Sequence, residues 1–553
     1  MRAQLPFLKT ALFALIGVAL GACDSNEVSE QTSETTAPKT VAETDIGQTM
    51  ASTGPIANTA YGQVRGATED GVLVFKGIPY GAPTGGDNRF LRAKPPATWA
   101  DVRDTSEYGD QCPQNSGGGG QSAWSSWSRE VSQSEDCLVL NIWTHALHDG
   151  AKRPVMFWIH GGGFSSFDGS SPAYDGVRLV NRGNVVLVTI NHRLNMFGYL
   201  HLHDLYKANG GDDKYKESAN IGQLDIVDAL QWVHDNIANF GGDPNNVMIF
   251  GESGGGAKVS TLLAMPAAKG LFQRAAIQSG PSVTRTLPDR ATESTRSLLK
   301  ALNIAENEID KLQQLSMEEL KAGMAAMERG GAGFGPVVNG SSLPRHPFDP
   351  DAPTVSADVP LIIGYNKDEG TLTNRQELFS LNWDGLKTEL SNMVPGKDID
   401  KIIADLRTSR PNKSASDLYF MISTERGFGD GSHTIAARKA AKGPAPVWLY
   451  RLEWETPVQG GKLRTPHSLD IPLIFDTVGL SASIIGEGAG DAQLVSNVMS
   501  EFWLSFARDG DPNGPGLPQW PAYNDKDKPT MVFNIESNAV NNPVGDIRAA
   551  VVE

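Results

Sequence analysis

The chain has 553 residues, of which 40% are hydrophobic and 20% are charged, a composition typical of a soluble globular protein. A chain of this length can form one large α/β domain with insertions. The formal net charge of −16 argues against nucleic acid or an anionic membrane surface as a binding partner, because both carry negative charge themselves.

The N-terminus has the features of an export signal. A short basic region precedes an apolar run over residues 11–20, which is too short to span a bilayer as a permanent helix. The Leu-Gly-Ala-Cys sequence that ends at Cys23 resembles a bacterial lipobox, so we expect residues 1–23 to be a lipoprotein-type signal peptide. Lipid on Cys23 would anchor the protein in the periplasm or at the cell surface and would be its only membrane contact. The alternative is an ordinary secretory signal, cut after Gly21 or Ala22, that releases a soluble protein.

Residues 24–55 are rich in Ser, Thr and Glu and have almost no large apolar side chains. Such a segment cannot bury a core, so it predicts a disordered acidic tether. A flexible propeptide is the alternative. The folded domain is expected over residues 56–553.

Two cysteines remain once Cys23 is assigned to the lipid. In an exported protein Cys112 and Cys137 favour a disulfide over two free thiols. They enclose four glycines, at residues 117–120, and the pair Trp124 and Trp127. This predicts a mobile loop whose tryptophans could line the mouth of a pocket, unless they pack on the base of the loop itself.

Buried strands alternate with helical segments along the domain. Apolar runs of strand type occur at residues 138–143, 154–160, 184–191, 247–250, 274–280, 359–364 and 446–451. Helical spacing occurs at residues 226–238 and 493–506, the latter as a closing helix, and a charged helical segment at 287–329 resembles an insertion or lid. The pattern predicts an α/β fold with a central, mainly parallel sheet that is flanked by helices and carries helical lid-type insertions.

Residues 250–256 read Phe-Gly-Glu-Ser-Gly-Gly-Gly and contain the pattern Gly-x-Ser-x-Gly between a strand and a helical segment. At such a turn the serine has strained backbone geometry and its Oγ is exposed above the sheet. The following helix begins just behind Ser253, so its N-terminal amides favour negative charge there. The pattern alone is weak in a chain with 59 glycines.

A candidate oxyanion hole lies upstream. The apolar strand over 154–160 runs directly into His-Gly-Gly-Gly at residues 160–163. Three glycines allow backbone amides to approach a substrate closely. The amide of Gly254, directly after the serine, would be a further donor.

A base and an acid are expected after the serine, in the order acid and then histidine. His346, His433 and His467 follow Ser253, and each occupies a polar loop or turn. His467 leads into an apolar segment, a position suited to a loop-borne base, although each of the three could be a solvated loop histidine. Asp368 and Glu369 follow an apolar strand, and spacing does not choose between them.

Long motifs in this chain resemble the type-B carboxylesterase family of α/β hydrolases. Residues 240–255 match the family's serine signature nearly throughout, and residues 134–143 resemble its second signature. Further short blocks extend the similarity over residues 61–523. The resemblance implies the α/β-hydrolase fold.

The resemblance also implies roles for particular residues. Glu369, in a Lys-Asp-Glu-Gly block, corresponds to the acid of the family's catalytic triad, and His467 corresponds to its base. The amides of Gly162, Gly163 and Gly254 correspond to its oxyanion hole.

Further positions match as well. Cys112 and Cys137 match the family's first disulfide, and Glu252 and Ser279 match positions that surround the triad. The chain departs from the family at Gly254, where alanine is commoner, and this could alter the rigidity of the hole.

The function that the resemblance implies is a serine carboxylesterase, which hydrolyses a small-molecule ester through an acyl-enzyme on Ser253. A thioesterase, lipase or amidase could use the same triad, and a non-catalytic binding or adhesion protein could use the same fold. No cofactor is expected, and no His-Glu-x-x-His or paired Cys-x-x-Cys motif indicates a metal site. The candidate pocket residues, each of which core packing would equally explain, are Trp124, Trp127, Phe164, Phe167 and Phe334.

Overall fold

The computed structural model describes residues 54–115, 123–327 and 333–552. The predicted signal peptide and nearly all of the predicted tether lie outside these residues. In chain order the strands are β1 (Ile56–Thr59), β2 (Gly62–Arg65), β3 (Ala67–Glu69), β4 (Val72–Pro79), β5 (Arg103–Asp104), β6 (Val139–Thr144), β7 (Arg153–Ile159), β8 (Val186–Ile190), β9 (Gly242–Glu252), β10 (Arg274–Gln278), β11 (Leu361–Asn366), β12 (Val447–Leu452), β13 (Pro529–Phe533) and β14 (Asn538–Asn541).

The helices are α1 (Val177–Gly183), α2 (Asn195–Tyr199), α3 (His203–Ala208), α4 (Ile221–Asn236), α5 (Gly254–Leu262), α6 (Pro288–Ala301), α7 (Met317–Ala326), α8 (Trp383–Met393), α9 (Ile399–Ser409), α10 (Ala415–Thr424), α11 (Asp430–Lys442), α12 (Asp470–Ile474), α13 (Ala482–Ile485), α14 (Gly490–Asp509) and α15 (Gly545–Val551). A π-helical turn, Glu425–Gly429, joins α10 to α11. Within the described part of the chain, no helix combines the length and the apolar character needed to cross a bilayer.

Most strands belong to one sheet with the order β14-β13-β12-β11-β10-β9-β7-β8-β6-β4-β3. From β13 to β8 every neighbouring pair is parallel, whereas the pairs at both edges are antiparallel. The prediction of a mainly parallel sheet is therefore confirmed. A separate small sheet joins β1, β2 and β5.

Alternate residues of each central strand contribute to different cores. In β7, Val155 and Phe157 belong to one apolar cluster, and Met156 and Trp158 belong to another; all four side chains are fully buried. The first cluster includes residues of α4, α5 and α11, and the second includes residues of α1, α12 and α14. Because both faces are covered, the strand sequence is apolar throughout, as expected for parallel strands.

Two helical insertions have apolar clusters of their own. The predicted charged segment over 287–329 contains α6, α7 and an intervening 3₁₀ helix, and its leucines pack with Leu205 of α3. Helices α8, α9, α10 and α15 form the second cluster, which was not predicted. The helix expected over 493–506 is α14, but it does not close the fold, because β13, β14 and α15 follow it.

Candidate active site

Ser253 lies in the turn between β9 and α5. Its backbone has φ 55° and ψ −120°, a conformation that non-glycine residues rarely adopt. The turn is held because the Ser253 N–H donates to the Gln278 carbonyl at 2.8 Å and the Ala257 N–H donates to the Ser253 carbonyl at 2.9 Å. The strand, sharp turn and helix predicted from the sequence are thus present, and Ser253 is the N-cap residue of α5.

The glycine-rich loop after β7 packs against this turn. Gly162 has φ +76°, and a Cβ atom there would lie 2.3 Å from the Ser166 carbonyl oxygen, so the position requires glycine. A Cβ atom on Gly161 would lie 3.5 Å from the Cβ of Ser253. The loop therefore brings its backbone close to the serine side chain.

Glu369 and His467 meet at the carboxyl ends of neighbouring strands. Glu369 follows β11, and its Oε2 lies 2.5 Å from Nδ1 of His467, which follows β12. Its Oε1 accepts hydrogen bonds from the Ser279 hydroxyl at 2.6 Å and the Asn366 N–H at 2.8 Å. Three contacts at strand ends thus fix a buried carboxylate against one ring nitrogen.

Asp368, the adjacent carboxylate, points elsewhere. Its Oδ2 lies 3.5 Å from the ammonium of Lys367, and burial raises its pKa. Of the two carboxylates that spacing left open, the structure brings only Glu369 to the histidine.

Glu252 occupies the other side of the imidazole. Its Oε1 lies 3.3 Å from Nε2 of His467 and accepts a hydrogen bond from the Ser468 hydroxyl at 2.8 Å. Burial raises the pKa of Glu252, and the neighbouring imidazolium of His467 opposes this shift. Burial lowers the pKa of His467, but the carboxylates of Glu252 and Glu369 favour the imidazolium more strongly, so the pKa is raised overall.

The hydroxyl of Ser253 makes no hydrogen bond to any described residue, His467 included. The two residues are linked in the structure through Glu252, which precedes the serine and contacts the ring. Catalytic hydrogen bonds are often long or misaligned in ligand-free enzymes and tighten when substrate binds.

The other two histidines lie apart from this constellation. His346 is in a loop, where its Nδ1 accepts the N–H of Arg285 at 3.1 Å. His433 was expected in a polar turn, but it lies on α11 and is 3% exposed, and burial lowers its pKa to about 3. The Asp-Gly-Ser sequence before His433 resembles a turn. In the structure, however, it forms the first residues of α11, which continues from α10 through the π-helical turn.

Aromatic side chains surround the glycine-rich loop. A Cβ atom on Gly162 would lie 2.5 Å from the ring of Phe167, so this ring covers the loop. Trp124 meets Phe167 edge-on with ring centroids 6.3 Å apart, and Phe164 meets Tyr199 in the same way at 5.2 Å. All three predicted pocket residues in this group are only partly buried, so they offer surface to a ligand.

The other two predicted pocket residues have different surroundings. Trp127 is 5% exposed, lies in the second core cluster and donates its Nε1–H to the Ser481 hydroxyl at 3.0 Å. Its environment is that of a packing residue. Phe334 packs against the cluster of the first insertion, while the adjacent Gly335 faces the ring of Phe164.

Phe428 is an aromatic neighbour of the site that was not predicted. It lies on the π-helical turn, and its ring centroid is 5.2 Å from that of His467. Single π-helical turns within α-helices occur frequently at functional sites. The sequence carried no local signal for this residue, because the helices that present it were not predicted.

The predicted disulfide between Cys112 and Cys137 is confirmed, with the sulfur atoms 2.06 Å apart. Gln114, two residues after the first cysteine, exchanges two hydrogen bonds with the backbone of Phe167, at 2.8 and 3.1 Å. The disulfide therefore braces a segment that holds the aromatic wall. The glycines at 117–120 lie outside the described residues. Across residues 54–115, 123–327 and 333–552, no group of three or more His, Cys, Asp or Glu side chains is arranged to hold a metal ion.

The strained serine turn between β9 and α5, the glycine-rich loop and the acid–histidine pair at adjacent strand ends are the arrangement of an α/β hydrolase. The chain belongs to the carboxylesterase family, whose model matches residues 53–549. It is accordingly a hydrolase of carboxylic esters.

Curated relatives are similar over nearly their full length. The para-nitrobenzyl esterase of Bacillus subtilis (strain 168) is 36% identical over 503 residues, which cover 90% of this chain and 98% of that protein. The phenmedipham hydrolase of Pseudarthrobacter oxydans is 32% identical over 512 residues, with 88% and 97% covered.

Solved structures show the same fold. A Geobacillus stearothermophilus carboxylesterase matches with a TM-score of 0.78 at 38% identity, and the match covers 90% of this chain and 99% of that one. An esterase from anaerobic Clostridium hathewayi, described as able to hydrolyze aliphatic aromatic polyesters, matches with a TM-score of 0.76 at 31% identity over 90% and 98% of the two chains.

Proposed function

We propose that the chain is a serine carboxylesterase in which Ser253 is the nucleophile, His467 the general base and Glu369 the acid that orients the base. One observation carries this assignment. The strained Ser253 lies against the glycine-rich loop, while Nδ1 of His467 is held by the buried Glu369 so that Nε2 remains for the serine proton.

In the proposed acylation step, Nε2 of His467 takes the Ser253 proton as Oγ attacks the ester carbonyl carbon. The amides of Gly162, Gly163 and Gly254 then stabilise the oxyanion of the tetrahedral intermediate. The amide of Gly254 is the first of α5, so the dipole of that helix adds to the stabilisation. Collapse of the intermediate expels the alcohol, which takes the proton back from His467.

Deacylation uses the same groups in the same order. His467 takes a proton from water as the water oxygen attacks the acyl-enzyme carbonyl, and collapse of the second tetrahedral intermediate breaks the bond to Oγ. His467 returns the proton to Oγ of Ser253, and the carboxylic acid leaves. Glu369 keeps the proton on Nδ1 throughout, which leaves Nε2 as the acceptor. Both half-reactions require a neutral imidazole at the start, so activity depends on the pKa of His467.

We propose an apolar or aromatic ester as the substrate. The partly buried rings of Phe164, Phe167, Trp124 and Phe428 near the serine and histidine support an apolar group on the substrate. The relative named para-nitrobenzyl esterase and the esterase described as acting on aliphatic aromatic polyesters support an aromatic one. Initial rates on a panel of short acyl, long acyl, aryl, thioester and amide compounds would rank these substrate classes.

The catalytic assignment is tested with Ser253→Ala and a control. We expect Ser253→Ala to lose p-nitrophenyl ester hydrolysis and to escape covalent labelling by an organophosphate in intact-mass spectra. Ser391 is a suitable control, because it is exposed on α8 and its hydroxyl bonds only the Lys387 carbonyl. Ser391→Ala should keep its activity and take up one label. Undiminished turnover by Ser253→Ala would overturn the assignment of the nucleophile. A wild-type protein that neither hydrolyses the ester nor takes up the label would instead favour a binding role on this fold.

We also propose that residues 1–23 are a lipoprotein signal peptide, that Cys23 carries the lipid, and that residues 24–55 tether the domain to the membrane. The lipobox-like sequence and the acidic, apolar-poor composition support this. Expression in a bacterial host with Cys23 intact should give esterase activity in the membrane fraction, and Cys23→Ser should move it to the soluble fraction. Activity of both forms in the soluble fraction would favour the secreted alternative.

A further inference from the structure

Lys258 is an unusual residue for the interior of a protein. It lies on α5, it is fully buried, and it forms no salt bridge with a described residue. Burial lowers the pKa of its ammonium well below the usual range, because removal of a charged group from water is energetically unfavourable. Because no carboxylate compensates for its burial, the hydrogen bonds that Nζ makes to other groups explain its position.

The nitrogen holds the glycine-rich loop. Nζ of Lys258 donates to the carbonyl oxygens of His160 and Gly163, each at 3.0 Å, and lies 3.4 Å from the carbonyl oxygen of Gly161. It also lies 5.3 Å from the ring centroid of Phe164, the next residue. One side chain thus contacts the loop on both sides of the amides of Gly162 and Gly163.

Gly254 allows the glycine-rich loop to lie close to the start of α5. A Cβ atom on this residue would lie 1.9 Å from the Gly163 carbonyl oxygen and 2.5 Å from its carbon. Gly254 and Lys258 are four residues apart in α5 and therefore lie on one face of the helix. The missing Cβ leaves the space that the Gly163 carbonyl occupies, and the lysine binds the carbonyl there.

We infer that Lys258 is a positioning residue for the oxyanion hole, an inference that rests on the proposed function. In a trans peptide the carbonyl and the following N–H point in opposite directions, so a bond to the Gly161 carbonyl fixes the direction of the Gly162 amide. The Gly162 carbonyl accepts the N–H groups of Ser165 and Ser166, both at 3.2 Å, which fixes the Gly163 amide in the same way. Lys258 secures the loop at both ends of this pair.

The inference predicts an effect on the transition state rather than on substrate binding. Amides that are fixed before reaction stabilise the oxyanion without reorganisation, and donation from an ammonium to a peptide carbonyl polarises the peptide. Loss of one hole donor typically costs about a hundredfold or more in kcat. We expect removal of Lys258 to cost roughly tenfold to hundredfold, because the amides remain but are less well held.

The experiment compares Lys258→Met with Lys439→Met. Lys439 is also buried and donates only to backbone carbonyls, those of Ser356 and Ala357, on α11 away from the described site. Kinetics are measured on enzyme titrated for active sites, with a p-nitrophenyl ester and with a trifluoromethyl ketone that forms an oxyanion on the serine. We expect Lys258→Met to lower kcat and the affinity for the ketone by similar factors, with KM nearly unchanged. Lys439→Met should alter only the thermal midpoint.

Two further variants keep the test decisive. If Lys258→Met does not fold, Lys258→Gln keeps two donors on a shorter chain and should show a smaller loss of kcat. Gly254→Ala should displace the Gly163 carbonyl, so its loss and that of the lysine variant should combine to less than their sum in free energy. Full additivity would contradict the inference.

Unchanged kcat and ketone affinity in Lys258→Met, or in Lys258→Gln if the methionine variant does not fold, would overturn the inference. The outcome is distinguishable from failure of the proposed function. An active Ser253→Ala would remove the proposed function itself, whereas an inactive Ser253→Ala beside a fully active Lys258→Met would remove only the role of Lys258.

Discussion

Glu252 Oε1 lies 3.3 Å from Nε2 of His467, the ring nitrogen that the proposed mechanism uses to accept the serine proton. Glu369 holds Nδ1 of the same ring, so the imidazole lies between two buried carboxylates. A second negative charge stabilises the imidazolium that forms during each proton transfer. It also stabilises the imidazolium of the resting enzyme, which cannot act as a base.

We therefore predict that Glu252→Gln shifts the pH profile of kcat/KM toward acid. The carboxylate raises the pKa of His467, activity requires the neutral imidazole, and loss of the negative charge lets the ring deprotonate at lower pH. In the wild type the acid limb should have its midpoint above the ordinary histidine value of about 6.5. The glutamine oxygen can still accept the Ser468 hydroxyl, so the local structure is preserved.

Profiles of kcat/KM against pH for a p-nitrophenyl ester provide the measurement. Glu308→Gln is a suitable control, because Glu308 is a surface residue paired with Lys311. Its profile should overlie that of the wild type. An acid limb that stays in place in Glu252→Gln would show that Glu252 does not set the pKa of the histidine.

Glu369→Gln should lower kcat far more than Asp368→Asn does. A glutamine can donate its amide to Nδ1 and favour the tautomer that carries its proton on Nε2, which cannot accept the serine proton. We expect kcat to fall by roughly 10³- to 10⁴-fold, as for the orienting acid of other serine triads. Asp368 contacts Lys367 rather than the histidine, so Asp368→Asn should retain most of its activity per folded enzyme. Comparable kcat losses in the two variants would argue against the assigned acid.

Features encoded by local patterns could be predicted from the sequence. Apolar runs located the parallel strands, because strands buried on both faces admit few polar residues. The glycines around Ser253 and after β7 located the turn between β9 and α5 and the glycine-rich loop, because close backbone approach requires glycine. The choice of Glu369 over Asp368 needed the family resemblance. The two carboxylates are adjacent in the chain, so their sequence separations from Ser253 and His467 do not distinguish them.

Features that depend on distant packing could not be predicted. A lysine in a helix is expected at the surface, and only the packing of α5 against a loop 95 residues earlier in the chain buries Lys258. Glu252 meets Ser468 across 216 positions, and no periodicity marks such a contact. The departure from alanine at Gly254 was visible in the sequence, but its physical reason is the Gly163 carbonyl, which only the structure reveals.

Phe428→Ala should selectively impair aromatic substrates. The ring packs on His467 and is only partly buried, so it can also contact a substrate. We expect about a tenfold or greater loss in kcat/KM for an aryl ester, carried largely by KM, and a smaller loss for an acetate ester of a short alcohol. Phe379→Ala removes a ring that packs on Phe420 and should affect neither ester. Equal losses of kcat/KM for both esters would assign the ring to positioning the histidine rather than to substrate selection.

Removal of the disulfide should lower the free energy of unfolding and also weaken the binding of aromatic esters. The bond closes a separation of 25 residues, for which the chain-entropy model gives a stabilisation of about 3 to 4 kcal/mol. We expect the double variant Cys112→Ala, Cys137→Ala to unfold at lower denaturant concentration by a corresponding amount. Gln114 links this segment to the backbone of Phe167, so KM for aromatic esters should also rise.

Denaturant unfolding followed by tryptophan fluorescence measures the first effect, and steady-state kinetics at low temperature measures the second. Gln114→Ala separates the two, because it removes the link to Phe167 and leaves the disulfide in place. This variant should reproduce the rise in KM with a smaller loss of stability. If the double cysteine variant loses stability while KM stays constant, the disulfide supports the fold alone and the aromatic wall is held by its own packing.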